Sequence, residues 1–209
     1  MNYPVSVTLE PVLAPRDRLT TAIRLVLAIP HLILVGGIGF SFAVRDSNST
    51  FGFGGETGLL GAVAIFLAIV SWFTIVIAGQ HITGIRQFTL FYLRWRLRAI
   101  AYLMLLEDRY PPFGDAPYPA SVTVVDPAGP RDRLTVGFRL LLLIPHVLVL
   151  FFLVCAWWLT TIVAWFGILV TGSYPEGLHE FGTGVLRWFM RVEAYGLLLI
   201  DEYPPFSLT

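Results

Sequence analysis

A chain of 209 residues is long enough for one or two soluble domains. However, 56% apolar and 13% charged residues, with a mean hydropathy of +0.73, leave too little polar surface for either, since soluble proteins carry about 25% charged residues. Lys+Arg and Asp+Glu both number 14, so no basic excess exists to neutralise phosphates and hold a nucleic acid. The single Cys155 excludes a disulfide within the chain and a cysteine zinc site.

Met1 to Pro15 lacks a basic segment followed by an apolar run, so no cleaved signal is expected there. Within it, Val5-Ser6-Val7-Thr8-Leu9 alternates as a strand does. Pro15-Arg16-Asp17-Arg18-Leu19-Thr20 follows, where Asp17 is placed to cap a helix start. Arg16 and Arg18 beside it suit positive-inside anchoring or lipid-headgroup binding. Leu25 to Val44 is 20 residues without a charge, ~30 Å as a helix and one hydrocarbon thickness. Residues 59–79 form a second such run. Arg45 to Thr50 and Gly52, Gly54, Gly55 and Gly58 between them read as a polar loop, so the pattern predicts a hairpin of 25–44 and 59–79. Residues 84–107 then predict an amphipathic helix in the headgroup plane, with Arg94 and Arg98 on one face beside Trp95. Tyr110-Pro111-Pro112-Phe113 ends it in extended backbone.

At a shift of 115 the chain begins again. Residues 118–149 match 3–34 at 17 of 32 positions, with Pro130-Arg131-Asp132-Arg133-Leu134-Thr135 identical throughout. Later the shift is 93: Leu93-Arg94-Trp95 meets Leu186-Arg187-Trp188, Arg98 meets Arg191, and Tyr110 to Phe113 meets Tyr203 to Phe206. Copy one therefore carries 22 more residues, around Gly36 to Leu60. Units of 1–114 and 115–209 follow. Ser121 to Val124 is the second strand, expected to pair with the first because one short strand is unstable alone. Leu140 to Tyr174 holds no charge and no clear loop; as one straight helix it is about 50 Å, longer than a bilayer core. A hairpin of 136–154 and 157–172, or a single tilted span, satisfies it. Arginines flanking both ends of each copy favour an even number of crossings. The expected fold is an all-α membrane protein of four spans (alternatively three), with both termini cytoplasmic, short cytoplasmic strands, and a second interfacial helix at 177–200.

The Arg-Leu segment ending in Ile-Pro-His, the Leu-Arg-Trp with Ala-Tyr after it, and the closing Tyr-Pro-Pro-Phe, each present twice, resemble an uncharacterised family of bacterial integral membrane proteins with a domain of unknown function. The resemblance covers nearly the whole chain and implies a multi-pass protein of the bacterial inner membrane. It carries no activity.

Candidate chemistry is sparse. Pro30-His31 and Pro145-His146 put a proline inside a helix, freeing the carbonyls of Val26 and Leu141, with a histidine beside each. The plain expectation is a packed kink. The sharper one is that two equivalent imidazoles ligate a haem or metal. Arg16, Arg18, Arg94, Arg98, Arg131, Arg133, Arg187 and Arg191 are candidates for headgroup or partner contact. Glu176-Gly177-Leu178-His179 has the spacing of a di-iron ligand pair, but a bundle site needs two such pairs. No nucleophile elbow, phosphate loop or His-Glu-x-x-His zinc motif occurs. No catalytic residue, resident metal or cofactor is expected. The partners expected are the lipid bilayer and other membrane subunits. A non-enzymatic accessory or scaffolding role comes first, a lipid or small-solute transporter between the two units second, and a haem carrier using His31 and His146 third.

Overall fold

The computed structural model describes residues 3–38, 58–127 and 129–209 in full and the backbone of 42–46 and 49–53. Its elements are β1 (Val5–Leu9), α1 (Arg18–Ala22), α2 (Arg24–Val35), β2 (Phe42–Asp46), β3 (Ser49–Phe53), α3 (Gly58–Ala78), α4 (Thr83–Leu103), β4 (Ala120–Val124), α5 (Arg133–Gly137), α6 (Arg139–Thr171) and α7 (Glu176–Gly196). The protein is mostly helical. The expected pairing of the two alternating strands is present: β1 and β4 are antiparallel, with Val7 opposite Val122. Those two residues are equivalent at the shift of 115, so a pseudo-twofold axis passes between them.

The region 136–172 is not a hairpin. α6 runs unbroken through 33 residues, because nothing near Cys155 to Trp158 can turn the chain. One face carries His146, Leu150, Val154, Trp157, Thr161, Ala164 and Ile168 inward, a spacing of three and four that keeps one stripe of a helix buried. Segments 25–44 and 59–79 do not form a hairpin either. α2 corresponds to 139–150 of α6, and α3 to 151–171. Gly58, at a φ of +59°, abuts the Gly36 amide and the Leu34 carbonyl, so α3 resumes where α2 stops. The 22 residues 36–57 leave and return at this seam, and they include the antiparallel pair β2–β3, which replaces the end of the expected first span at 42–44 and part of the expected polar loop. Residues 39–41, 47–48 and 54–57, parts of the expected first span and of the 45–58 loop, lie outside the described residues. Among the described residues, the expected four spans therefore reduce to two helices long and apolar enough to cross a membrane, α3 and α6.

The two long helices run antiparallel. The end of α6 meets the start of unit one: Arg16 N donates to the Gly172 carbonyl at 2.9 Å, and Trp165 Nε1 to the Thr21 carbonyl at 3.0 Å. The end of α3 meets unit two in the same way, with Trp72 Nε1 donating to the Val136 carbonyl at 2.9 Å. Gly79 and Gly172 close α3 and α6 with φ of 72° and 76°, the left-handed turn that glycine adopts without penalty. Against each glycine lies the guanidinium of the other unit's Arg133 or Arg18.

α4 and α7 form the middle of the molecule. Among the described elements, the backbones of β1 and β4 come close to each other and to these two helices, and not to α2, α3 or α6. The order is thus strand pair, α4 with α7, then the long helices. The segments 84–107 and 177–200, expected as amphipathic surface helices, are instead covered by protein on both sides. Leu93, Leu97, Ile100, Leu186, Met190 and Ala194 are fully enclosed. Most of the apolar surface left open lies on the long helices and the short helices α1 and α5 that lead into them, where Ile77 is 74% exposed and Leu140 80%.

Candidate functional site

Each unit is locked by a buried pair of arginines on one aspartate. Arg16 and Arg24 reach Asp108 Oδ1 at 3.2 and 2.7 Å; Arg131 and Arg139 reach Asp201 Oδ1 at 2.8 and 3.0 Å. The same arginines satisfy the backbone that follows α4 and α7. Arg16 donates to the Leu105 carbonyl and Arg131 to that of Leu198, and these two leucines hold φ of 63° and 62°. A left-handed non-glycine residue costs of order 1 kcal/mol or more and persists only when its surroundings hold it. Arg24 and Arg139 also lie over the Tyr102 and Tyr195 rings, at 4.4 and 3.9 Å. Asp17 and Asp132 cap α1 and α5 as their spacing predicts, accepting from Leu19 and Leu134 N at 2.9 and 3.0 Å.

The arginines singled out by sequence thus have different settings. Arg16 and Arg131 face inward. Arg94 and Arg98 share Asp115, both at 3.1 Å. Arg191 donates to the carbonyls of Ser207 and Thr209, and Arg187 is half-buried on α7. Arg18 and Arg133 are exposed at opposite ends of the long helices.

Pro30 and Pro145 lie inside α2 and α6. His31 is 1% exposed and His146 0%, each in an aromatic cage of its own unit. His31 Nδ1 accepts from Trp95 Nε1 at 3.0 Å, and His146 Nδ1 from Trp188 Nε1 at 3.2 Å. The ring face is covered by Phe113 at 4.5 Å in one unit and by Phe206 at 4.1 Å in the other. Tyr-Pro-Pro-Phe therefore folds its phenyl ring onto the histidine, and the structure does not bring the two imidazoles together. His179 Nε2 lies 3.2 Å from the Leu106 carbonyl, and burial holds its pKa below the ordinary 6.5. No group of three metal-ligating side chains occurs among the described residues.

The two units enclose a groove. α3 and α6 do not touch; between them lies a cavity of about 690 Å³, walled by Ile65, Ile69 and Phe73 on one side and Leu143, Val147 and Phe151 on the other. Its floor is α4 and α7, and it holds a charge pair. Arg96 Nε lies 2.8 Å from Glu193 Oε1, Arg96 Nη1 donates to the Val35 carbonyl at 2.7 Å, and Tyr92 OH reaches Glu193 at 3.4 Å. Burial pushes the Glu193 carboxyl up, opposed by Arg96.

Sequence reasoning missed Asp108, Asp201, Tyr92, Arg96 and Glu193 as site residues. The aspartates were detectable, since an acid stands two residues before Tyr-Pro-Pro-Phe in both copies. Arg96 and Glu193 carry the opposite signal: their equivalents are Phe189 and Ile100, and that of Tyr92 is Val185. The groove floor is polar just where the two copies disagree. Likewise Ile65 lines the groove where unit two has Trp158, whose indole donates to the Ile38 carbonyl at 3.0 Å.

No curated protein and no solved structure matches the chain. One family does, in two segments that follow the two units: residues 52–114 and 133–207 match the domain of unknown function DUF4389. Together these segments exceed half of the chain, and the protein belongs to the DUF4389 family.

Proposed function

We propose that this is a non-enzymatic protein of the bacterial inner membrane that holds a lipid chain in the groove between its two units. The observation carrying this reading is the groove itself. Its walls are aliphatic and aromatic, its size falls within the range of small-molecule sites, and it opens between two helices whose outer faces are apolar. A hydrocarbon chain entering from the bilayer leaves one apolar medium for another, so entry carries no penalty for stripping water from polar atoms. The Arg96–Glu193 pair is already neutral as a unit, which favours a chain or a weakly polar group over a lone ion at the floor.

The test is lipid content. Protein purified in mild detergent should carry lipid that is released by organic extraction and identified by mass spectrometry. Replacing Ile69 and Val147 by Trp fills the groove from both walls and should abolish the bound lipid without loss of helical signal. Equal lipid in the filled variant and the parent protein would refute the reading.

An accessory role in a larger membrane assembly is the second reading. It draws on the apolar surface of α3 and α6 outside the groove, which a partner helix would cover. Gentle solubilisation followed by co-purification tests it, and a protein that migrates alone counts against it. The haem reading draws no support from the geometry, because each histidine is enclosed by its own unit's Trp, Tyr and Phe.

A further inference from the structure

We infer that the long helices lie in the plane of the membrane, seated in one leaflet, rather than crossing it. The inference rests on the membrane reading above but not on the groove having an occupant.

The exposed apolar surface forms two matching stripes. Leu141, Leu148, Leu159 and Phe166 on α6 correspond at the two shifts to Val26, Ile33, Phe66 and Phe73 on α2 and α3, and all eight are more than half exposed. Each stripe runs the length of a 33-residue helix path, about 50 Å against a hydrocarbon core of about 30 Å. A perpendicular crossing leaves roughly two fifths of that stripe outside the hydrocarbon.

Two further features oppose crossing. Because the helices are antiparallel, a spanning arrangement places Pro15 to Thr20 on one side of the membrane and Pro130 to Thr135 on the other, dividing the exposed Arg18 from its equivalent Arg133. It also turns the pseudo-twofold axis into the membrane plane. The β1–β4 pair, which that axis pierces, then sits at mid-depth facing lipid. Ser6, Thr8 and Thr123 on it are exposed, and the outer edges of both strands take no backbone hydrogen bond among the described residues. Open strand edges do not occur against hydrocarbon, because each unsatisfied group costs several kcal/mol.

Laying the helices flat removes these conflicts together. The axis becomes the membrane normal, and both arginine motifs come to one depth at the ends of the stripes. The strand pair, separated from the long helices by α4 and α7, faces water. The groove then opens into a single leaflet. Amphipathic helices with arginine at the polar boundary seat themselves this way.

Sidedness tests this directly. In a Cys155→Ser background, cysteine is placed singly at Gly129, ahead of α6, and at Gly177, just past its end. Both glycines are exposed, and a Cβ at either meets nothing within 4 Å. Each variant is treated with a membrane-impermeant maleimide in right-side-out spheroplasts and in inverted vesicles. Flat seating requires both positions to label from the same side and to stay at background from the other. Labelling from opposite sides overturns the proposal in favour of a crossing α6. Recovery of the protein in the soluble fraction overturns it as well, and the membrane reading with it. Lipid extraction of the same variants reports on the groove separately.

Discussion

Asp108 and Asp201 tie the beginning of each unit to its end. Each joins two arginines from the start of its unit to the turn that ends α4 or α7. Removing one carboxylate strands two guanidinium groups with side-chain exposures of 0 and 2%. Breaking a buried pair costs about 3–5 kcal/mol, because the remaining charge has no water to turn to; the one-fifth exposure of Asp108 argues for the lower end. Asp108→Ala should therefore destabilise the protein by about 3 kcal/mol in a denaturant titration in mild detergent. A midpoint unchanged from the parent protein would show that the clamp is dispensable. Arg96 and Glu193 follow the same physics at a place with no counterpart in the other unit.

At the scale of elements, the seam between α2 and α3 makes a sharp prediction. Deleting residues 36–57 and joining Val35 to Gly58 restores the chain pattern of α6, where the equivalent residues Leu150 and Phe151 are bonded neighbours. The shortened protein should fold, with helical signal per residue above that of the parent by circular dichroism. Loss of the folded state would show that the insertion is structural. The seam also explains what was legible. The strands, the aspartate caps and the duplicated pattern could be read because each depends on local spacing. The hairpins could not. An uncharged run has the same composition whether it turns or continues, and the glycines of 52–58 mark a detour that returns to its own starting point. The absence of turn residues near Cys155 was the one local sign of continuity. α4 and α7 misled for a different reason: Arg94 and Arg98 look like a solvated face but meet Asp115, and Arg96, on the other side of α4, meets the distant Glu193. Long-range charge pairing leaves no periodic trace.

Across the whole molecule, the units are interlocked rather than adjacent. β1 pairs only with β4, and each long helix ends against the other unit's first short helix. Cutting the chain between the exposed residues Ala116 and Pro117 severs one peptide bond and none of these contacts. Co-produced as two polypeptides, 1–116 and 117–209 should copurify through a tag on either piece. Two pieces that separate and each remain folded would contradict the interlocked arrangement. The groove belongs to the same scale, since its walls come from different units and neither alone encloses it.

The register of the strand pair carries a consequence for assembly. With Val7 facing Val122, every hydrogen-bonded couple has its counterpart across the centre, as an isologous contact between two identical subunits does. A half-length chain would find the same partner in another copy of itself and close as a symmetric dimer. Joining the halves in one polypeptide releases that constraint: one half can accept a 22-residue detour and the other an acid at the groove floor, and neither change is mirrored.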